Sequence, residues 1–135
     1  MDFFPLLYDN LISNPDFAND LYTLGIYNSV GMIMVLSSLI CMILYYYVVS
    51  NYSNNYKLYF WAIWIIVLAF INFSTAYYFS DLEMEKLYLD NPPNPYTVTD
   101  YINFSFLNFI WTIIFCFILS IPLKIKSTRA SKTPF

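Results

Sequence analysis

Trp61-Ala62-Ile63-Trp64-Ile65-Ile66-Val67-Leu68-Ala69-Phe70 is apolar at every position. A transmembrane β-strand alternates apolar and polar residues, and this run does not. In hydrocarbon a backbone must satisfy its own hydrogen bonds, and an unbroken apolar segment does so as a helix. The β-branched residues in the run do not overturn that reading, because environment outweighs a weak propensity. The stretch belongs to a longer uncharged segment at about 58–79, and two more lie at about 30–49 and 104–121. Twenty helical residues reach about 30 Å, the thickness of a bilayer core. The sequence therefore predicts an all-α membrane protein with three transmembrane helices.

Composition agrees. The chain has 135 residues, of which 59% are hydrophobic and only 11% charged, with a mean hydropathy of +0.54. A soluble domain carries about a quarter charged residues, and one this small has too little interior to hide such an apolar excess. Tyrosines gather at the ends of the apolar runs, at 45–47, 77–78, 96 and 101, whereas Phe is frequent inside the third. Rings with a polar tip favour the headgroup layer.

The charges set an orientation. Asp2, Asp9, Asp16 and Asp20 precede the first run; Asp81, Glu83, Glu85, Asp90 and Asp100, with Lys86, lie between the second and third. The first loop has only Lys57, and the residues after the third run carry Lys124, Lys126, Arg129 and Lys132 with no acid. Basic loops stay in the cytoplasm. The expected topology is an inner (plasma) membrane protein with its N-terminus outside and its C-terminus cytoplasmic. Residues 1–25 then form an external acidic segment, 26–123 the membrane domain with an external loop at 80–103, and 124–135 a basic cytoplasmic tail. No basic stretch precedes the first apolar run, so the beginning does not read as a secretory signal.

Local signals refine the outer segments. Asn14 before Pro15 and Asp16 reads as a helix start. Phe3, Leu7 and Leu11, then Phe17, Leu21 and Leu24, recur at helical spacing, so residues 3–24 read as an amphipathic interfacial helix on the bilayer or on a neighbouring subunit. Thr97-Val98-Thr99-Asp100 fits a capping box. Asp81–Leu89 reads as a continuation of the second helix or a short helix of its own, ended by the prolines at 92, 93 and 95.

Polar residues inside the runs are the candidate functional positions. Ser105, Asn108, Thr112, Cys116 and Ser120 share a face of the third helix; Asn28, Gly31, Ser38 and Cys41 form a similar stripe on the first; Asn72 stands in the second. Small and amide side chains at such positions serve helix–helix packing or line a pore. Three helices offer few internal partners, so the chain is expected to pack with copies of itself in a cyclic homo-oligomer. Lys124, Lys126, Arg129 and Lys132 would meet an anionic partner: lipid, nucleotide, nucleic acid or protein.

The chain contains no His, and its cysteines, Cys41 and Cys116, lie within apolar runs. Catalytic, metal and cofactor sites are therefore not expected, nor is a proton relay, which uses ionisable residues within the spans. Two function classes remain. One is a homo-oligomeric channel or pore, the general form of small bacterial defence effectors that permeabilise the inner membrane. The other is a non-enzymatic anchor or structural subunit of an envelope or secretion assembly.

Overall fold

A computed structural model describes residues 3–51, 57–89 and 93–125. The elements are α1 (Phe3–Tyr8), a 3-10 turn (Asp9–Leu11), α2 (Pro15–Thr23), α3 (Ile26–Tyr47), a second 3-10 turn (Val49–Asn51), α4 (Leu58–Leu87) and α5 (Val98–Lys124). Among the described residues there is no strand. α3, α4 and α5 are long and apolar enough to cross a membrane.

The helix ends follow from local chemistry. Asn14 caps α2, its side-chain oxygen accepting from the backbone N–H groups of Asp16 and Phe17, with Pro15 as first helical residue. Gly25, at φ 67°, turns the chain from α2 into α3 in a left-handed conformation that costs other residues more. Thr97 and Asp100 form the expected capping box of α5. α3 ends at Tyr47, so residue 49 falls in the following 3-10 turn. α4 continues without a break through Asp81, Glu83 and Glu85 to Leu87. Its 30 residues extend about 45 Å, roughly 15 Å more than a bilayer core.

α5 packs against both α4 and α3, and α3 against α4, in a three-helix bundle. Its acidic end carries Asp9, Asp16, Asp20, Asp81, Glu83, Glu85 and Asp100; Lys57 and Lys124 lie at the opposite end. Two apolar clusters hold the bundle. One, near the acidic end, joins Tyr8, Phe17, Leu21, Tyr27, Met84 and Phe104; the other joins Met42, Tyr45, Tyr46, Ile65, Leu68 and Cys116.

The segment expected to be one interfacial helix is two short helices, both in contact with α3. Pro5, Tyr8, Phe17, Ala18 and Leu21 are buried, while Phe3, Leu6 and Leu11 are exposed. A helix as short as α1 is marginal alone, so these contacts hold it. Asp2, most of the first loop (residues 52–56), Asp90 to Pro92, and Lys126, Arg129 and Lys132 lie outside the described residues.

Candidate functional site: a polar seam inside the bundle

The polar face of α5 turns inward. Ser105, Asn108, Thr112, Cys116 and Ser120 are all buried between α5 and its neighbours, as are Ser38 and Asn72. At about 100° per residue the α5 set spans roughly a third of the helix circumference, narrow enough for one contact seam.

Near the acidic end the seam is a connected network. The Tyr8 hydroxyl donates to Asn108 Oδ1 at 2.8 Å. Asn108 Nδ2 donates to the Asn72 backbone carbonyl at 2.9 Å, and Asn72 Nδ2 to Thr112 Oγ1 at 3.2 Å. Thr112 Oγ1 in turn donates to the Asn108 carbonyl at 2.8 Å, and Ser37 Oγ lies 3.1 Å from Asn72 Oδ1. Four elements thus meet around two amides. An unpaired amide in an apolar interior costs several kcal/mol on the order-of-magnitude scale of transfer data, so pairing both inside one chain removes a large penalty.

Towards the opposite end a second set of bonds gathers Trp61, Ser120 and Tyr46. Trp61 Nε1 donates to Ser120 Oγ at 3.1 Å, and Ser120 Oγ to the Cys116 carbonyl at 2.8 Å. Trp64 Nε1 donates to the Cys41 carbonyl at 3.2 Å. Ser105 and Ser80 bond back to carbonyls four residues earlier in their own helices, a common resolution for hydroxyls in apolar surroundings. The buried Tyr27 hydroxyl has no partner.

The structure does not bring all the sequence candidates together. Asn28 is exposed on α3, and Cys41 is only half-buried. Relative to Gly31, Asn28 is rotated by about 60° and Cys41 by about 80° in the opposite sense, whereas Ser38 is rotated by only about 20°. Gly31 lies under the Phe4 ring, which occupies the space a Cβ would need. Lys124 is half-buried at the end of α5. Tyr8, Ser37 and Trp111 join the seam or its rim without having stood out in the sequence, and Trp61, which opens the second apolar run, joins it too. Phe4 and Tyr8, four residues apart, were the available signal for a common face; nothing local identifies partners more than a hundred residues away.

A second feature lies at the acidic end. Asn14, Asp16, Asn19, Asp20, Tyr88, Pro95 and Tyr96 line an open cleft of about 430 Å³. The hydroxyls of Tyr88 and Tyr96 both donate to Asp20 Oδ2, tying α2 to the ends of α4 and α5. Burial, then the bonds to Asp20 and Tyr88, push the Tyr96 phenol well above its usual range. For Tyr88 the bond with Tyr96 acts downwards, but the bond to Asp20 and its charge prevail and the net shift is upward. Among the described residues no group of His, Cys, Asp and Glu is arranged to hold a metal ion.

Comparison with known proteins gives no match to a family model, to a curated protein or to a solved structure.

Proposed function

We propose that this chain is a non-enzymatic integral membrane protein that serves as a structural subunit of a homo-oligomer. It sits in the inner (plasma) membrane with its acidic end outside and its basic end in the cytoplasm. The observation that carries the reading is the closed seam. Asn72, Asn108 and Thr112 spend their polar groups on one another and on Tyr8, so the bundle needs no water-filled lumen to satisfy them. What remains outside is mostly apolar: Leu36, Ile40 and Ile43 on α3, Ile63, Ile66 and Phe70 on α4, Phe106, Ile110 and Ile118 on α5. Such faces suit lipid and the helices of neighbouring copies. Orientation follows from the basic residues beyond the third span, including Lys124, Lys126, Arg129 and Lys132.

A homo-oligomeric pore is the second reading, and one groove favours it. Ser74 and Thr75 lie with Val67, Phe70 and Ile71 along a shallow surface groove of α4. An apolar wall with a few hydroxyls is the surface that gates by dewetting. A membrane-permeabilising defence effector would work in this way, with the basic tail receiving an anionic regulator.

Two measurements separate these readings. Native mass spectrometry in detergent should show a defined multiple of the chain mass; a monomer alone would sink both. Liposomes holding that oligomer should retain a small dye and an ion gradient. Flux that appears on reconstitution, or on adding nucleotide or anionic lipid, would replace the structural reading with the pore.

A further inference from the structure

α1 is held against the flank of the bundle, below its acidic end. The Phe4 ring lies over Gly31. The Tyr8 hydroxyl donates to Asn108 Oδ1 at 2.8 Å and lies 3.9 Å from Met34 Sδ. Trp111 Nε1 donates to the Leu7 carbonyl at 3.0 Å. These anchors all stand within the apolar runs of α3 and α5. At 1.5 Å per residue, Gly31 is about 2 Å and Met34 about 6 Å inside the run that begins near residue 30. Asn108 is about 6 Å and Trp111 about 10 Å inside the run that begins near residue 104. One leaflet supplies about 15 Å of hydrocarbon, so α1 is tied to the spans at the height of a leaflet.

The segment is built for that surrounding. Residues 3–8 carry no charge, and exposed Asp9 and Asn10 follow at once. Pro5 and Tyr8 are buried against the bundle, while Leu6 is 72% and Phe3 52% exposed. Exposed Ile33 on α3 and Ile110 on α5 stand at the same height, so the outer face of α1 continues the apolar face of the spans. The backbone is suited too. In hydrocarbon each polar backbone group needs a partner. Pro5 has no N–H, which removes one of the donors that a helix start leaves unpaired. The Leu7 carbonyl, in the last turn of α1, is met by Trp111.

We propose that residues 3–8 are inserted in the leaflet at the acidic end, as a short fourth membrane element whose exposed face, Phe3 and Leu6, contacts lipid acyl chains. Asp9 and Asn10 mark the return to the headgroups, and α2, with exposed Asp16, lies in water. The proposal deepens the membrane reading and rests on it, and it is independent of the oligomer.

Spin-label accessibility in phospholipid vesicles tests it. The full chain carries Cys41→Ala and Cys116→Ala, with a nitroxide attached through Leu6→Cys, Leu36→Cys or Tyr22→Cys. Leu36, exposed midway along α3, reports lipid; Tyr22, exposed on α2, reports water. The label at 6 should collide with dissolved oxygen in preference to a water-soluble nickel chelate, as the label at 36 does, but at a shallower depth. Chelate access at 6 equal to that at 22, with 36 still in lipid, would overturn insertion and leave the membrane reading standing. Chelate access at 36 as well would remove both. A label at 6 shielded from both reagents would mean that protein covers it, and would overturn lipid as the occupant. A second measurement keeps the native cysteines. Leu6→Asp places a charge in hydrocarbon, so amide hydrogen exchange of residues 3–8 in vesicles should quicken by about tenfold or more. A change nearer twofold, about that of a water-exposed surface site, would overturn the proposal.

Discussion

Removing one oxygen atom tests the seam most directly. Tyr8→Phe keeps the ring stacked on Tyr27 and edge-on to Phe104 but deletes the hydroxyl that donates to Asn108 Oδ1 at 2.8 Å. Asn108 keeps its bond to the Asn72 carbonyl, so one acceptor is left wanting in a fully buried site. An unsatisfied buried acceptor costs about 1–3 kcal/mol in water-soluble proteins. Inside a membrane bundle the typical coupling is smaller, about 0.6 and at most about 1.7 kcal/mol, because the separated helices find other partners. We expect about 1 kcal/mol, several-fold in the docking equilibrium of residues 3–11. The assay is a double-mutant cycle with Asn108→Leu, read by reversible unfolding in mixed micelles and by amide hydrogen exchange of residues 4–11. Exchange there should quicken several-fold in Tyr8→Phe, and the second substitution should add less than it costs alone. A coupling energy within about 0.3 kcal/mol of zero would refute the seam as an energetic unit.

Other perturbations have signed outcomes. Gly31→Ala drives a methyl into the Phe4 ring, so it should loosen α1 by about 1–3 kcal/mol, and Phe4→Ala should restore part of the loss in protease-protection assays. Gly25→Ala meets no atom within 4 Å but must hold φ 67°, so it should cost about 1–2 kcal/mol, with Gly25→Asn milder, as read by thermal unfolding in detergent. The Tyr96 pKa is raised by folding, so its stabilising contribution is complete below the ordinary tyrosine value near 10 and is lost as pH rises through the folded value. Unfolding midpoints should therefore fall between pH 9 and pH 12 (roughly bracketing that value), and Tyr96→Phe should flatten the fall. An unchanged slope in the variant would remove Tyr96 as the cause. Ser120→Ala removes the Oγ that accepts from Trp61 Nε1 and should cost about 1 kcal/mol, visible as a shift in tryptophan emission and unfolding midpoint.

The three long helices were legible because an uncharged run of twenty residues admits few structures in lipid, and the Asn14 and Thr97–Asp100 caps because capping is local. Division of the charges between two ends was legible for the same reason. Where the polar face of α5 pointed was not. Ser105 to Ser120 lie on one side of a helix in any reading, and periodicity cannot say whether that side meets another helix or water. Asn28 shows the limit from the other direction: its spacing to Gly31 suggested one stripe, yet a rotation of about 60° leaves it exposed. The seating of α1 was least legible. It depends on Tyr8 finding Asn108 across 100 residues, and on Phe4 meeting the one residue in α3 that has no side chain.

That span of 100 residues also sets an order of events during synthesis. At about 5–20 residues per second, Tyr8 leaves the ribosome roughly 5–20 s before Asn108 does. Through that interval its phenol has no partner on α5, and α1 is too short to persist alone. Only α5 completes its seat, through Asn108 and Trp111. A docked α1 therefore marks a chain that has reached α5, and a copy stalled or clipped before α5 would display Phe4 and Tyr8 to the chaperones and proteases that patrol the membrane surface.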